Sequence, residues 1–166
     1  RKGERPRTHL AGYRGILQAD GYGGYARLYE DGNIVEAACW AHARRHFWDV
    51  YESQKRAPGL LAEQALQRIA ALYAIEADVR GQPADARRRQ RQQHSKPLLD
   101  ELHAWLNHTL RRVSAKSDIA QAIGYTLTRW RALSRYCDDG RIEIDNNAAE
   151  RALRGVALGR KNYLFQ

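Results

Sequence analysis

The chain is 166 residues long and 43% hydrophobic, enough for one domain or one domain with a sizeable insertion, which excludes a disordered tail. With 28 Lys and Arg against 19 Asp and Glu it carries a formal charge of +9, and a basic surface attracts polyanions through counterion release, so nucleic acid is the expected partner. No apolar run approaches the length of a bilayer span and no signal-peptide pattern opens the chain, so the expectation is a soluble, cytoplasmic protein with no membrane partner.

The chain begins at Arg1, contains no methionine and stops just after an apolar "NYLF", and it reads as a piece of a longer protein. "RPRTHLAGY" predicts a short helix before Gly15. "GILQAD" is a compact apolar run with turn residues behind it, which predicts a buried strand ending at Asp20. "GYGGYARLYEDG" follows as a short helix stopped at Gly32, where a glycine C-cap is expected. "NIVEAACW" is the second strand, and Trp40, Ala43, Phe47, Val50 and Tyr51 then share one face of a helix through "AHARRHFWDVYES". Strand, helix, strand, helix is the pattern of an α/β layer. Cys39, His42 and His46 lack a fourth ligand at zinc spacing and read as a buried thiol beside helix-surface histidines; Cys39 and Cys137, far apart, form no disulfide framework.

From about residue 54 strand signals vanish. "LLAEQALQRIAALYAIEADVR" is a helix pattern with Leu66, Ile69 and Tyr73 inside and Gly81 beyond its end. Pro83 starts the next helix, whose dense run Arg87, Arg88, Arg89 and Arg91 reads as a solvated face. Pro97 is expected to kink or break that helix, and Leu98, Leu102, Trp105, Leu106, Leu110 and Val113 continue an apolar face after it. Ser117 caps a further helix with the stripe Ile119, Ile123, Leu127, Trp130 and Leu133, closed by the turn at Asp138 to Gly140. "RIEI" is a brief extended piece in which Ile142 and Ile144 alternate with charges.

The last segment, "DNNAAERALRG", opens a helix with Asp145 or Asn146 as N-cap and Ala149, Ala152, Leu153 and Val156 on its buried face. Glu150 lies off that face, one turn from Asn146 and one turn from Arg154, where it can form a surface pair or serve a site. Asp20 ends a strand, a position that in open α/β sheets gathers ligands, although the same residue could cap the helix that follows. A strand-end aspartate and a helix-borne glutamate can converge on one hard divalent cation, and two such ions can hold attacking and leaving oxygens in line for phosphodiester cleavage. Arg151, Arg154, Arg160 and Lys161 put positive charge beside Glu150 where a phosphate backbone would need it, and Asn146 and Asn147 add hydrogen-bond donors.

"LQADGYGGYARLY", "EAACWAHARRHF" and "NNAAERALRGVALGRKNYLF", in this order with a helical block between the second and third, resemble the insertion-sequence-66 transposase family of bacterial mobile elements. The resemblance covers nearly the whole chain. It implies a predominantly helical α/β fold: a partial ribonuclease-H-like core over 1–53 and 141–166, interrupted by an all-helical insertion over 54–140. It further implies an Asp-Asp-Glu recombinase in which Asp20 is the second acid and Glu150 the third, holding Mg²⁺ with Mn²⁺ as a substitute. Such enzymes cut transposon ends by water attack and join the freed 3′ hydroxyl to target DNA. The DNA contacts it implies fall on Arg44, Arg45, Asn146, Asn147, Arg151, Arg154, Arg160 and Lys161. No residue here matches the family's first aspartate, which belongs upstream of "RKGERP", so this chain alone is expected to be inactive in strand transfer and to complete its sheet as a homo-oligomer or with a partner. A different class of reading, a non-catalytic DNA-binding or interaction module, would rest on Arg87 to Arg91 and make both acids dispensable.

Overall fold

The computed structural model describes residues 8–19, 23–30 and 32–147, and over these the chain is a predominantly helical α/β protein. Strands β1 (Gly15–Ala19) and β2 (Ile34–Ala38) pair in parallel, with Gly15 opposite Ile34 and Ala19 opposite Ala38. The helix expected between them is a 3₁₀ helix over Gly23–Leu28, and the chain turns into β2 through Gly32 at φ +71°, a conformation that glycine adopts without a side-chain clash.

Helix α1 (Trp40–Ser53) follows β2 after the single residue Cys39 and buries Trp40, Ala43, Phe47 and Val50 of the stripe its spacing predicts, with the fifth member, Tyr51, half-buried. Trp40 is the pivot of the interior: its Nε1 donates to the Leu133 carbonyl at 2.9 Å, and its ring meets Trp130 edge-on at 5.9 Å. Helix α2 (Leu61–Asp78) lays Ala62, Ala65, Leu66, Ile69 and Leu72 against α1 and buries one charged residue, Glu76. Beyond Gly81, at φ +77°, Pro83 introduces α3 (Ala84–Gln90).

Pro97 does not break the helix that follows. The helix passes through a π turn at Arg91–Ser95 directly into α4 (Lys96–Leu110), with Pro97 in the first turn of that element. A prolyl ring collides with the carbonyl four residues back and offers no N–H; widening the preceding turn to i→i+5 bonding removes that conflict without ending the helix. Leu99, Leu102 and Leu106 form the buried stripe of α4, whereas the expected first member, Leu98, is half-buried beside it. Trp105 is also half-buried, roofed by the Arg68 guanidinium 4.6 Å above its ring.

Ser117 caps α5 (Asp118–Thr128), its hydroxyl accepting from the Ala120 N–H at 3.3 Å. The single helix expected through Leu133 is divided: Thr126 and Thr128 turn their hydroxyls back to the carbonyls of Ala122 and Gly124, a competition that weakens a helix end. A short helix α6 (Trp130–Ser134) and a 3₁₀ turn (Arg135–Cys137) complete the path. Gly140 then passes so close to the start of α3 that a Cβ on it would lie 1.8 Å from the Ala84 carbonyl oxygen; only glycine allows the crossing. Ile142 and Ile144 are buried and Arg141 and Glu143 exposed, the alternation expected of "RIEI". One apolar cluster runs without interruption from Ala37 to Ile144.

The arginine run is not a solvated face. Arg88 and Arg89 are exposed, but Arg91 is 0% exposed and donates to the Glu76 carboxylate through Nε and Nη2, both at 2.7 Å. Its Nη1 donates to the carbonyls of Tyr136 at 2.9 Å and Ile142 at 2.8 Å, and more distantly to that of Asp139 at 3.4 Å. The widened turn brings Arg91 to the inside, where its fork satisfies carbonyls that no ladder pairs. The basic-module reading therefore loses Arg91 as a contact for DNA.

Candidate functional site

Because β1 and β2 are parallel and in register, Ala19 and Ala38 end at the same edge of the sheet, and Asp20 is the next residue of the sequence after β1. Two further segments meet at this edge. One is the start of α1. The other is the return of the chain after Gly140: the Gln18 side-chain amide donates to the Glu143 carbonyl at 2.6 Å, the Trp40 N–H to the Ile144 carbonyl at 3.0 Å, and the Asn146 N–H to Cys39 Sγ at 3.5 Å. The stretch leading towards Glu150 is thus fastened to the C-terminal ends of both strands.

Asp145 closes this arrangement. Its Oδ1 accepts from the Asn147 N–H at 3.0 Å, and its Oδ2 accepts from the Asn147 side chain at 2.9 Å and the Tyr73 hydroxyl at 3.0 Å; the helix that Asp145 or Asn146 is expected to cap lies outside the described residues. Burial, and then the Asp145 carboxylate, push the Tyr73 phenol above its ordinary value of 10.0, so it stays protonated and donates. Nothing in sequence spacing ties Tyr73 to a residue so distant; it reads only as part of the inner face of α2. Burial likewise raises the Cys39 thiol and pushes Cys137 up to about 12, so both free thiols stay protonated rather than presenting a thiolate to a soft metal. Among the described residues no group of three or more His, Cys, Asp and Glu could hold a metal ion.

A cleft of about 560 Å³ opens beside this segment, lined by Ala41, Arg44, Arg45 and Trp48 of α1, Ala70 and Tyr73 of α2, and Asn147. Three residues expected to touch DNA, Arg44, Arg45 and Asn147, therefore line one cavity. Arg44 and Arg45 are exposed, and neither has a carboxylate partner among the described residues. Asn146 is placed differently: it is half-buried, and its Oδ1 is enclosed without a hydrogen-bond partner among the described residues. Asp20, Glu150, Arg151, Arg154, Arg160 and Lys161 lie outside the described residues.

Behind the cleft, Arg87 grips Glu143 with two bonds of 2.8 and 2.7 Å and reaches towards Glu76 at 3.8 Å. The bond from Arg87 holds the Glu143 carboxyl below its ordinary value of 4.5. A depressed folded-state value means stability that is present above 4.5 and is lost as pH falls through the folded value. Glu143→Gln should therefore lower the thermal midpoint slightly near neutral pH, the carboxylate being solvent-exposed, and the two melting curves should merge in acid. A difference independent of pH would count against this account.

The family model described as Transposase IS66 family matches residues 1–166. The chain belongs to that family. Similar proteins come from Sinorhizobium fredii: the uncharacterized protein y4hP is 41% identical over 99% of this chain and 32% of its own length. The uncharacterized protein y4qI is 42% identical over 95% of this chain and 30% of its own, and y4jD 37% over 99% and 33%. The IS66 chain thus spans about a third of the length of these relatives. No solved structure matches it significantly. No helix among the described residues is long and apolar enough to cross a membrane.

Proposed function

We propose that this chain is the later part of a ribonuclease-H-like transposase core, with Asp20 and Glu150 as two carboxylates of an Asp-Asp-Glu site for phosphodiester cleavage and strand transfer. The carrying observation is the fastening of 143–146 to the ends of β1 and β2. Asp20 is one residue beyond Ala19, and Glu150 three beyond Asn147, a tether of at most about 11 Å. Two acids on such short leads from one sheet edge can share a ligand. Residues 1–53 and 141–166 on this reading form the core, and 54–140 its insertion.

The donor set fits a hard cation: the acids offer oxygen only, the nearby thiol Cys39 is buried and protonated, and Asp145 is already engaged by Tyr73 and Asn147. Asp20 and Glu150 would hold Mg²⁺, or Mn²⁺ in its place, which when bound polarises the phosphate and activates the attacking oxygen. Arg44, Arg45 and Asn147 bind the DNA backbone at the cleft, joined by Arg151, Arg154, Arg160 and Lys161, and Tyr73 and Asn147 hold Asp145 as the cap that sets where the glutamate segment begins. The first acid of the site comes from outside this chain, which alone is inactive; transposon ends and target DNA are the substrates, and the working form is a homo-oligomer. The alternative basic module keeps only Arg88 and Arg89 as exposed members of its run.

Mn²⁺ binding tests the reading, by calorimetry and by anomalous scattering from soaked crystals. Both acids should ligate one site, and Asp20→Asn or Glu150→Gln should each weaken Mn²⁺ binding by about tenfold or more. Unchanged affinity in either variant would overturn the shared site.

A further inference from the structure

The cleft beside Asn147 holds an aromatic ring that the cleavage chemistry does not use. Trp48 is 36% exposed on α1, while Trp40 is fully buried and Trp105 and Trp130 are half-buried. Two guanidiniums flank the ring: Arg44 with its carbon 5.5 Å from the centroid, and Arg56 at 5.6 Å. They are not equivalent. Arg56 is tied to Glu52, its Nη2 at 2.6 Å and its Nε at 2.8 Å from Oε1, whereas Arg44 has no carboxylate partner among the described residues. Arg56 also sits, with Lys55, at positive φ, +55° and +56°, a conformation that costs a non-glycine residue about 1 kcal/mol or more and persists only where the surroundings hold it. The backbone bends out of α1 in a strained path that brings Arg56, paired with Glu52, to the same indole as Arg44, which has no carboxylate partner among the described residues.

The geometry points to Trp48 as a stacking platform for an unpaired DNA base. The base replaces the Arg44 guanidinium against the indole; Arg44 and the neighbouring Arg45 then meet the flanking phosphates, while Arg56 stays with Glu52. Every base has a π-face, so an exposed aromatic ring beside Arg44 and Arg45 binds single strands without reading sequence, and a duplex, whose bases are already stacked, cannot use it. A platform in the same cleft as Asn147 would hold a nucleotide splayed from the duplex close to the proposed cleavage acids. The inference rests on the DNA-handling reading for the class of ligand but not on the metal site, and its test is run with chelator present.

Binding of a single-stranded oligothymidylate and of a duplex of equal length is measured by anisotropy, with tryptophan fluorescence recorded on the same samples. The single strand should quench the fluorescence, and Trp48→Leu should abolish that quenching and lower single-strand affinity by about tenfold or more while duplex affinity stays unchanged. Trp48→Tyr, which keeps a ring but loses the indole signal, should hold single-strand affinity near wild type, and Trp48→Gln, with the same expected losses as leucine, replaces the leucine variant if that variant fails to melt cooperatively. Arg44→Gln should weaken both ligands and flatten the salt dependence. Single-strand binding without quenching, or Trp48→Leu lowering both affinities equally, overturns the platform. A chain that binds duplex but not the single strand overturns the platform and leaves the DNA reading standing; a chain that binds neither removes both.

Discussion

Arg91→Met is expected to cost about 3–5 kcal/mol of folding stability, the usual result of breaking a buried ion pair by removing one partner. The side chain is fully buried and makes five hydrogen bonds, two to Glu76 and three to carbonyls of the 136–142 stretch. Removing it strands the Glu76 carboxylate, 7% exposed, with only the Arg87 contact at 3.8 Å, and leaves those carbonyls unpaired in the interior. The loss should appear in urea unfolding as a lower midpoint with an unchanged slope. The double change Arg91→Met with Glu76→Leu should recover much of it, because no charge is then left buried alone. A single-variant loss below about 1 kcal/mol would show that water or Arg87 already satisfies Glu76. Charge reversal at exposed Arg88 and Arg89 should change stability by no more than about 0.5 kcal/mol. The same run of sequence thus separates into a structural half and a surface half.

The second large effect concerns chemistry. On the proposed function, Asp20→Asn or Glu150→Gln in the full-length protein should lower cleavage of transposon ends by about 10²–10³-fold or more, since each removes a charge on which transition-state stabilisation depends. DNA affinity should hardly change, because the phosphate contacts are carried by arginines, asparagine and lysine rather than by the acids. Gel-resolved cleavage and binding by anisotropy separate the two quantities. Cleavage that survives either substitution sinks the assignment; joint loss of cleavage and binding assigns the residue to the fold instead.

The strands and long helices were legible because their signals are local. A compact apolar run with turn residues behind it marks β1, and the stripe Trp40, Ala43, Phe47 and Val50 has helical spacing. Ser117 announced its cap by residue type alone. What escaped were features decided by tertiary contact. Arg91 looks like any other arginine in a basic run until the carbonyls of 136–142 and the Glu76 carboxylate are seen around it. Pro97 reads as a residue that kinks or breaks its helix, and only tertiary structure shows that the preceding turn widens instead of ending. The meeting of Tyr73 with Asp145 spans 72 positions and leaves no periodic trace. At the site, Arg44, Arg45 and Asn147 are expected from the sequence as DNA contacts, but that they line one cleft, and that the Asn146 Oδ1 is enclosed, depends on how the strand ends pack.

The π turn at Arg91–Ser95 absorbs one residue more than a regular helix would need to carry both of its buried faces. At about 100° per residue, eight residues of regular α-helix would leave Arg91 and Leu99 roughly 80° apart around the axis, yet both are fully buried. The wider turn takes back most of that angle, so one continuous helix serves two interiors: a polar one around Glu76 and an apolar one around Leu102. Deleting one residue between them would leave seven regular steps of about 100°, so Arg91 and Leu99 would still lie within roughly 20° of one another and both interiors would keep their side of the helix. Adding a residue has the opposite result, turning one interior outward by about 100°.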